Sequence, residues 1–236
     1  VKQSTSGSTT GEAEEAAAAR TRDGSGRSYR DTYYHTWGAS GLAGVWAEEN
    51  TRASIFDAMR RKETFATSGP RIRVRFFAGN GLEWLSMDDA DYLSNAYAQG
   101  VPMGGDLYGD DGAGAPVFHV WALRDPLEAP LQRVQIVKGW SDGNGMTQEK
   151  VFDVACSDGL SVDPETHRCP DTGAAVNLTD CSISADVGAD EIKTAWVDPE
   201  FDDTEAAFYY VRVLQNPTCR WSTWDALRAN VEPRYN

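Results

Sequence analysis

Positive charge is what this chain of 236 residues has least of: 22 Lys and Arg stand against 36 Asp and Glu, giving a formal charge of −14. Phosphate backbones are bound through clustered cations that displace counterions, so the balance excludes nucleic acid as a partner, and an anionic membrane surface with it. Histidine is scarce as well. His35, His119 and His167 are far apart in sequence, and neither a His-x-His pair nor a His-Glu-x-x-His helix is present to hold a metal. No apolar run approaches the roughly 18 residues of a membrane span. The chain opens Val-Lys-Gln-Ser, without Met and without a basic-then-apolar leader, which is the expectation for a processed or partial chain. No internal repeat is visible.

What is present suffices for a core. Hydrophobic residues make up 41%, among them 8 Trp, 9 Tyr and 8 Phe, enough for one or two domains and too much for a wholly disordered chain. The charge is uneven: residues 1–80 hold 12 basic and 9 acidic side chains, leaving 10 and 27 for residues 81–236. Residues 1–30 are rich in Ser, Thr, Gly and Ala and read as a solvated tail or long loop.

Aromatics arrive at Tyr33-Tyr34-His35-Thr36-Trp37, followed by the apolar run 41–47. Beyond Glu48-Glu49-Asn50-Thr51-Arg52, the residues Ile55, Phe56 and Met59 fall at helical spacing, which predicts an apolar stripe with Arg60, Arg61 and Glu63 facing water. Asn50 or Thr51 is placed to cap this helix. From Arg71 the pattern turns to alternation. Ile72, Val74 and Phe76 share one face and three arginines the other, as a half-buried strand requires. Further strands are predicted over 116–124, 131–140, 147–154, 192–197 and 207–214, with a hairpin turn at Ser141–Gly145. Many strands and one clear helix predict a β-sandwich-like domain over residues 71–236.

Chemistry-bearing residues are few. His119 lies inside a predicted strand and reads as a structural or surface strand residue; His35, among aromatics on a loop, reads equally as functional or packing. Cys156, Cys169, Cys181 and Cys219 are an even number in a loop-rich region, which predicts two disulfides in an oxidising compartment, with three connectivities open. The rival is a zinc site from Cys156, His167, Cys169 and Cys181, which lacks a Cys-x-x-Cys knuckle. Asp106 with Asp110-Asp111, and Asp198 with Asp202-Asp203, lack the full ladder of a calcium loop and read as solvated turns. Asn177-Leu178-Thr179 matches the glycosylation tripeptide, a frequent chance occurrence. Glu48 and Glu49 precede a helix, where they interact with its dipole or face the ligand end of an α/β site.

Gly41-Leu42-Ala43-Gly44-Val45-Trp46-Ala47-Glu48-Glu49-Asn50-Thr51-Arg52, Thr64-Phe65-Ala66-Thr67-Ser68-Gly69-Pro70-Arg71-Ile72, Pro102-Met103-Gly104-Gly105-Asp106-Leu107 and Asn216-Pro217-Thr218-Cys219-Arg220-Trp221 resemble the C-terminal part of the bacterial domain-of-unknown-function family 3604. The resemblance covers residues 30–236 and is specific. It implies a relationship to polymerase-and-histidinol-phosphatase (PHP) hydrolases, whose distorted β/α barrel binds divalent metals through ligands upstream of this chain. Residues 1–70 are then expected as the barrel's last loop and helix, and 71–236 as an appended, mainly antiparallel β-sandwich-like domain.

The function expected is the C-terminal portion of a periplasmic or extracellular metal-dependent hydrolase of a phosphoester, sulfate ester or related anionic substrate. Without its upstream barrel segment it is expected to be inert, because an activated water needs a metal held by three or more protein ligands. Zn, Mn or Fe is expected in the full-length protein and not in this chain alone. Arg30, His35, Trp37, Glu48, Glu49 and Arg52 are the candidate pocket-loop residues. Arg30, His35 or Arg52 would pair with an anionic oxygen, and Glu48 and Glu49 would orient a metal ligand. The alternative is a non-catalytic β-rich binding or assembly subunit.

Overall fold

The alternating segments become strands, all of them paired antiparallel, in a computed structural model that describes residues 40–109, 114–143 and 145–232. In chain order the elements are β1 (Leu42–Val45), α1 (Arg52–Arg60), β2 (Thr64–Thr67), β3 (Arg73–Gly79), α2 (Tyr92–Gln99), β4 (Val101–Pro102), β5 (Val117–Leu123), β6 (Leu131–Ser141), β7 (Thr147–Cys156), β8 (Glu191–Val197), β9 (Ala207–Gln215) and α3 (Trp221–Arg228). A single 3-10 turn at Leu82–Trp84 lies between β3 and α2.

Two sheets form the sandwich. One has the order β4-β3-β5-β8, the other β7-β6-β9. Their inward residues make one core: Ile72, Phe76 and Ala78 from β3 and the residue before it, Phe118, Val120 and Ala122 from β5, and Leu131, Val134 and Ile136 from β6. Period-two alternation puts these side chains on one face and sends their neighbours outward. The hairpin between β6 and β7 turns at Asp142 and Gly145, where Gly145 takes φ +76° and Asp142 Oδ1 accepts from Met146 N at 2.9 Å.

A second, smaller core covers the outer face of the four-stranded sheet. Phe77, Leu82, Tyr92 and Ala96 are buried together there, with Leu93 and Trp121 against them. This brings in α2, an eight-residue helix too short for its period to stand out in the sequence. His119 projects into this layer at 1% exposure and meets Tyr92 Oη through Nδ1 at 3.2 Å. It is structural, as expected for a histidine inside a strand. Burial lowers its pKa and pushes Tyr92 up to about 12.

Residues 42–67 form a separate unit, in which β1 pairs with β2 around α1. No barrel closes among the described residues. Thr51 caps α1 by accepting from Ser54 N, but the expected stripe is turned the other way. Phe56 and Met59 are 57% and 59% exposed, and the helix buries Ala58 instead. Gly44 lets β1 approach closely: a Cβ there would lie 2.4 Å from Phe65 Cζ. Glu63, expected to face water, is 4% exposed. The helix has already ended, and Lys62 at φ 61° swings the chain out of helical phase.

The cysteines pair Cys156–Cys169 and Cys181–Cys219, and this sets aside the zinc reading. Asp198 is not a solvated turn residue either. It is 3% exposed, its carboxylate 2.8 Å from Lys138 Nζ and accepting from Tyr209 Oη at 2.8 Å. Burial and this carboxylate together push the Tyr209 phenol strongly up.

Candidate functional site

Of the candidate pocket residues, Arg30, His35 and Trp37 lie outside the described residues. Glu48 and Glu49 lie on the loop between β1 and α1 and Arg52 is the first residue of α1, all three exposed. Glu48 and Glu49 line a small recess of about 300 Å³ with Thr51, Ser54, Asp57 and Arg61. Three carboxylates against one guanidinium give it acidic character. Glu49 N donates to Ser54 Oγ at 3.2 Å, which ties the loop to the first turn of α1.

The loop is anchored from beneath. Trp46, just before it, donates from N to the Glu63 carbonyl at 3.0 Å and from Nε1 to the Val74 carbonyl at 2.8 Å. The Arg75 guanidinium lies 3.8 Å above the Trp46 ring, a cation–π contact worth about 0.5–2 kcal/mol. Arg75 also donates to Tyr97 Oη at 3.0 Å, and Tyr97 donates to Glu63 Oε2 at 2.7 Å. Arg61 Nε donates to the other oxygen of Glu63 at 2.8 Å. Burial, with the hydrogen bond to Glu63, raises the Tyr97 phenol, so it remains a donor at neutral pH. A buried carboxylate with two donors is thus the joint between the β1–α1–β2 unit and the sandwich. Arg61 and Glu63, both expected to face water, carry no mark of this joint in sequence. Tyr97 and Arg75, on other elements, gave no signal.

A second concavity is much larger and was not anticipated. A cleft of about 1970 Å³ runs between the two sheets on their β4 and β9 side. Ile72, Val74 and Phe76 line one wall, Tyr209, Val211 and Val213 the other, with residues 64–70, on and after β2, also bordering the cleft and Trp221 from α3 at one end. Its walls are core residues of a sandwich left open along one edge. Alternation marks them as inward-facing but does not reveal that the two sheets part to leave a cleft between them.

Among the described residues no three His, Cys, Asp or Glu side chains gather to hold a metal ion. These residues by themselves do not make the site of the metal that the resemblance implies, whose ligands that resemblance places upstream of this chain. No described helix is long and apolar enough to cross a membrane.

A family model described as "Protein of unknown function (DUF3604)" matches residues 3–236. No curated protein and no solved structure is found to match.

Proposed function

We propose that this chain, which belongs to the family of unknown function DUF3604, is the C-terminal portion of a secreted metal-dependent hydrolase and serves it as a rigid wall. The carrying observation is the buried Glu63 joint, which holds the loop bearing Glu48 and Glu49, and the start of α1 at Arg52, against a disulfide-braced sandwich. A loop fixed in this way presents side chains without losing entropy when substrate binds. Arg52, the first residue of α1, is an exposed cation beside this loop, suited to a phosphate or sulfate oxygen. Glu48 and Glu49 are suited to accept from a metal-ligating histidine carried by the barrel segment. The two disulfides accord with a periplasmic or extracellular location.

Metal analysis of the longest natural form, purified without chelator, tests the reading. Stoichiometric Zn, Mn or Fe is expected, and its absence would remove the hydrolase assignment. In that form, Glu49→Ala is expected to lower kcat/KM at least tenfold with unchanged thermal stability, because the side chain is exposed. Tyr97→Phe removes the donor to Glu63 and is expected to lower kcat/KM by loosening the loop, while leaving metal content unchanged.

The alternative, an assembly subunit, is favoured by a different observation, the uncovered cleft beside β9.

A further inference from the structure

We infer that the cleft is an acceptor site for one extended polypeptide strand, which adds to the free edge of β9 and completes the sandwich. Four strands lie over three. On one side the sheets are in register: Thr194 of β8 donates to the Val154 carbonyl of β7 at 3.3 Å, and Phe152 of β7 packs on Trp196 of β8 with centroids 5.2 Å apart. Across the middle, Phe118 of β5 meets Tyr209 of β9 at 4.5 Å. That leaves β3 and β4 projecting beyond β9 with the cleft beneath them. Strands in a sheet are spaced about 4.8 Å apart, so the overhang marks a strand's place next to β9.

The edge is able to receive one. Among the described residues β9 pairs with β6 alone, so its other side offers a row of backbone donors and acceptors over nine residues. Tyr209, Val211 and Val213 face the cleft and would flank the inward side chains of the incoming strand. Gln215, lining the cleft at the end of β9, keeps a buried side-chain oxygen with no hydrogen-bond partner, which an incoming donor would satisfy.

The occupant is a single strand rather than a second copy. Joining two copies edge to edge at β9 would bring both overhanging β3–β4 strips to the same place above the joint. A lone segment has no second layer and meets no such clash. Its pattern follows from the walls: apolar at alternate positions, for one face enters the core. Antiparallel to β9, like every other strand pair among the described residues, its C-terminal end lies beside Asp203 and Glu205, which border the cleft where β9 begins. A basic residue is therefore favoured at that end.

The test uses the whole chain and a synthetic peptide of nine alternating threonine and valine residues ending in two lysines. Hydrogen exchange of the 208–214 amides is read with and without peptide. Alternate amides, those on the free edge, are expected to slow at least tenfold, with no slowing from a peptide of the same composition arranged in blocks. Val211→Asp places a charge among the inward side chains and is expected to abolish the protection. Because that variant can also disturb folding, Asp203→Lys with Glu205→Lys is made on the surface, and should transfer preference to a peptide ending in two glutamates. Unchanged exchange at saturating peptide, or equal protection by the block peptide, overturns the proposal. So does protection of the same amides by raising the concentration of the chain alone, which would make a second copy the occupant.

Discussion

The two long edges of the sandwich are built to different standards. Along β7 and β8 the sheets are sealed, and the polar groups buried there are matched. The Asp153 carboxylate, shielded from solvent, accepts from Arg133, Gln135 and the Cys169 amide, and a disulfide holds Cys169 to the end of β7. Lys138 and Asp198 pair at the end of the same core, with the lysine also donating to the Glu200 carbonyl at 2.6 Å. Along β4 and β9 the same kinds of apolar residue line an open cleft. A sealed edge tolerates buried charge because every partner is in place, whereas an open one keeps its stability in residues that are still partly wet.

Breaking the sealed side should therefore cost most. Lys138→Met leaves Asp198 buried without its cation, and a loss of about 3–5 kcal/mol is expected, read as a fall in the urea midpoint. Replacing both Lys138 and Asp198 with apolar residues should recover much of it. Next come the disulfides. By loop entropy the 38-residue separation of Cys181 and Cys219 contributes about 4 kcal/mol and the 13-residue one of Cys156 and Cys169 about 3 kcal/mol. Serine pairs at each should rank in that order in chemical denaturation.

Acid should act through two groups. Burial raises the Asp153 carboxyl, but hydrogen bonds from the Cys169 amide, Gln135 and Arg133 outweigh it and hold the carboxyl below its ordinary 3.8. Its contribution is thus complete above about pH 4 and is lost as pH falls through the lower folded value. His119, lowered from 6.5 by burial, stays neutral in the fold and takes a proton more readily once unfolded. Stability should then decline below pH 6.5, and His119→Gln should flatten that part of the profile without touching the decline near pH 4. The smallest effect belongs to the open side. Val211→Thr, in a half-buried position, should cost below about 1 kcal/mol, and a larger loss in calorimetry would mean that the cleft is closed in solution.

Strands were the legible part of this molecule. The alternation at Ile72, Val74 and Phe76, and its counterparts in β5, β6 and β9, depends on local period alone and located both sheets. Helices were harder because their faces are decided by neighbours. Ile55, Phe56 and Met59 have the right spacing for a buried stripe, yet the helix sits on Ala58, and no local pattern distinguishes the two. α2 and α3 have eight residues each, too few for a period to stand out. Of the site, Glu48 and Glu49 lie on the loop before α1 and Arg52 opens that helix, as neighbours in sequence must lie close. The joint that fixes them depends on Glu63 meeting Tyr97 across 34 positions, and such a meeting is written in tertiary structure only. The four cysteines announced two bridges without choosing among three pairings.

Those bridges also set what a protease can release. Cys156–Cys169 and Cys181–Cys219 enclose two separate stretches of chain. A cut anywhere within 157–168 or 182–218 leaves the pieces covalently joined, migrating as one band until reductant is added. A cut within 170–180, the short span that neither bridge encloses, divides the chain into two parts at once. That segment is the molecule's one internal seam beyond Cys156 and before Cys219.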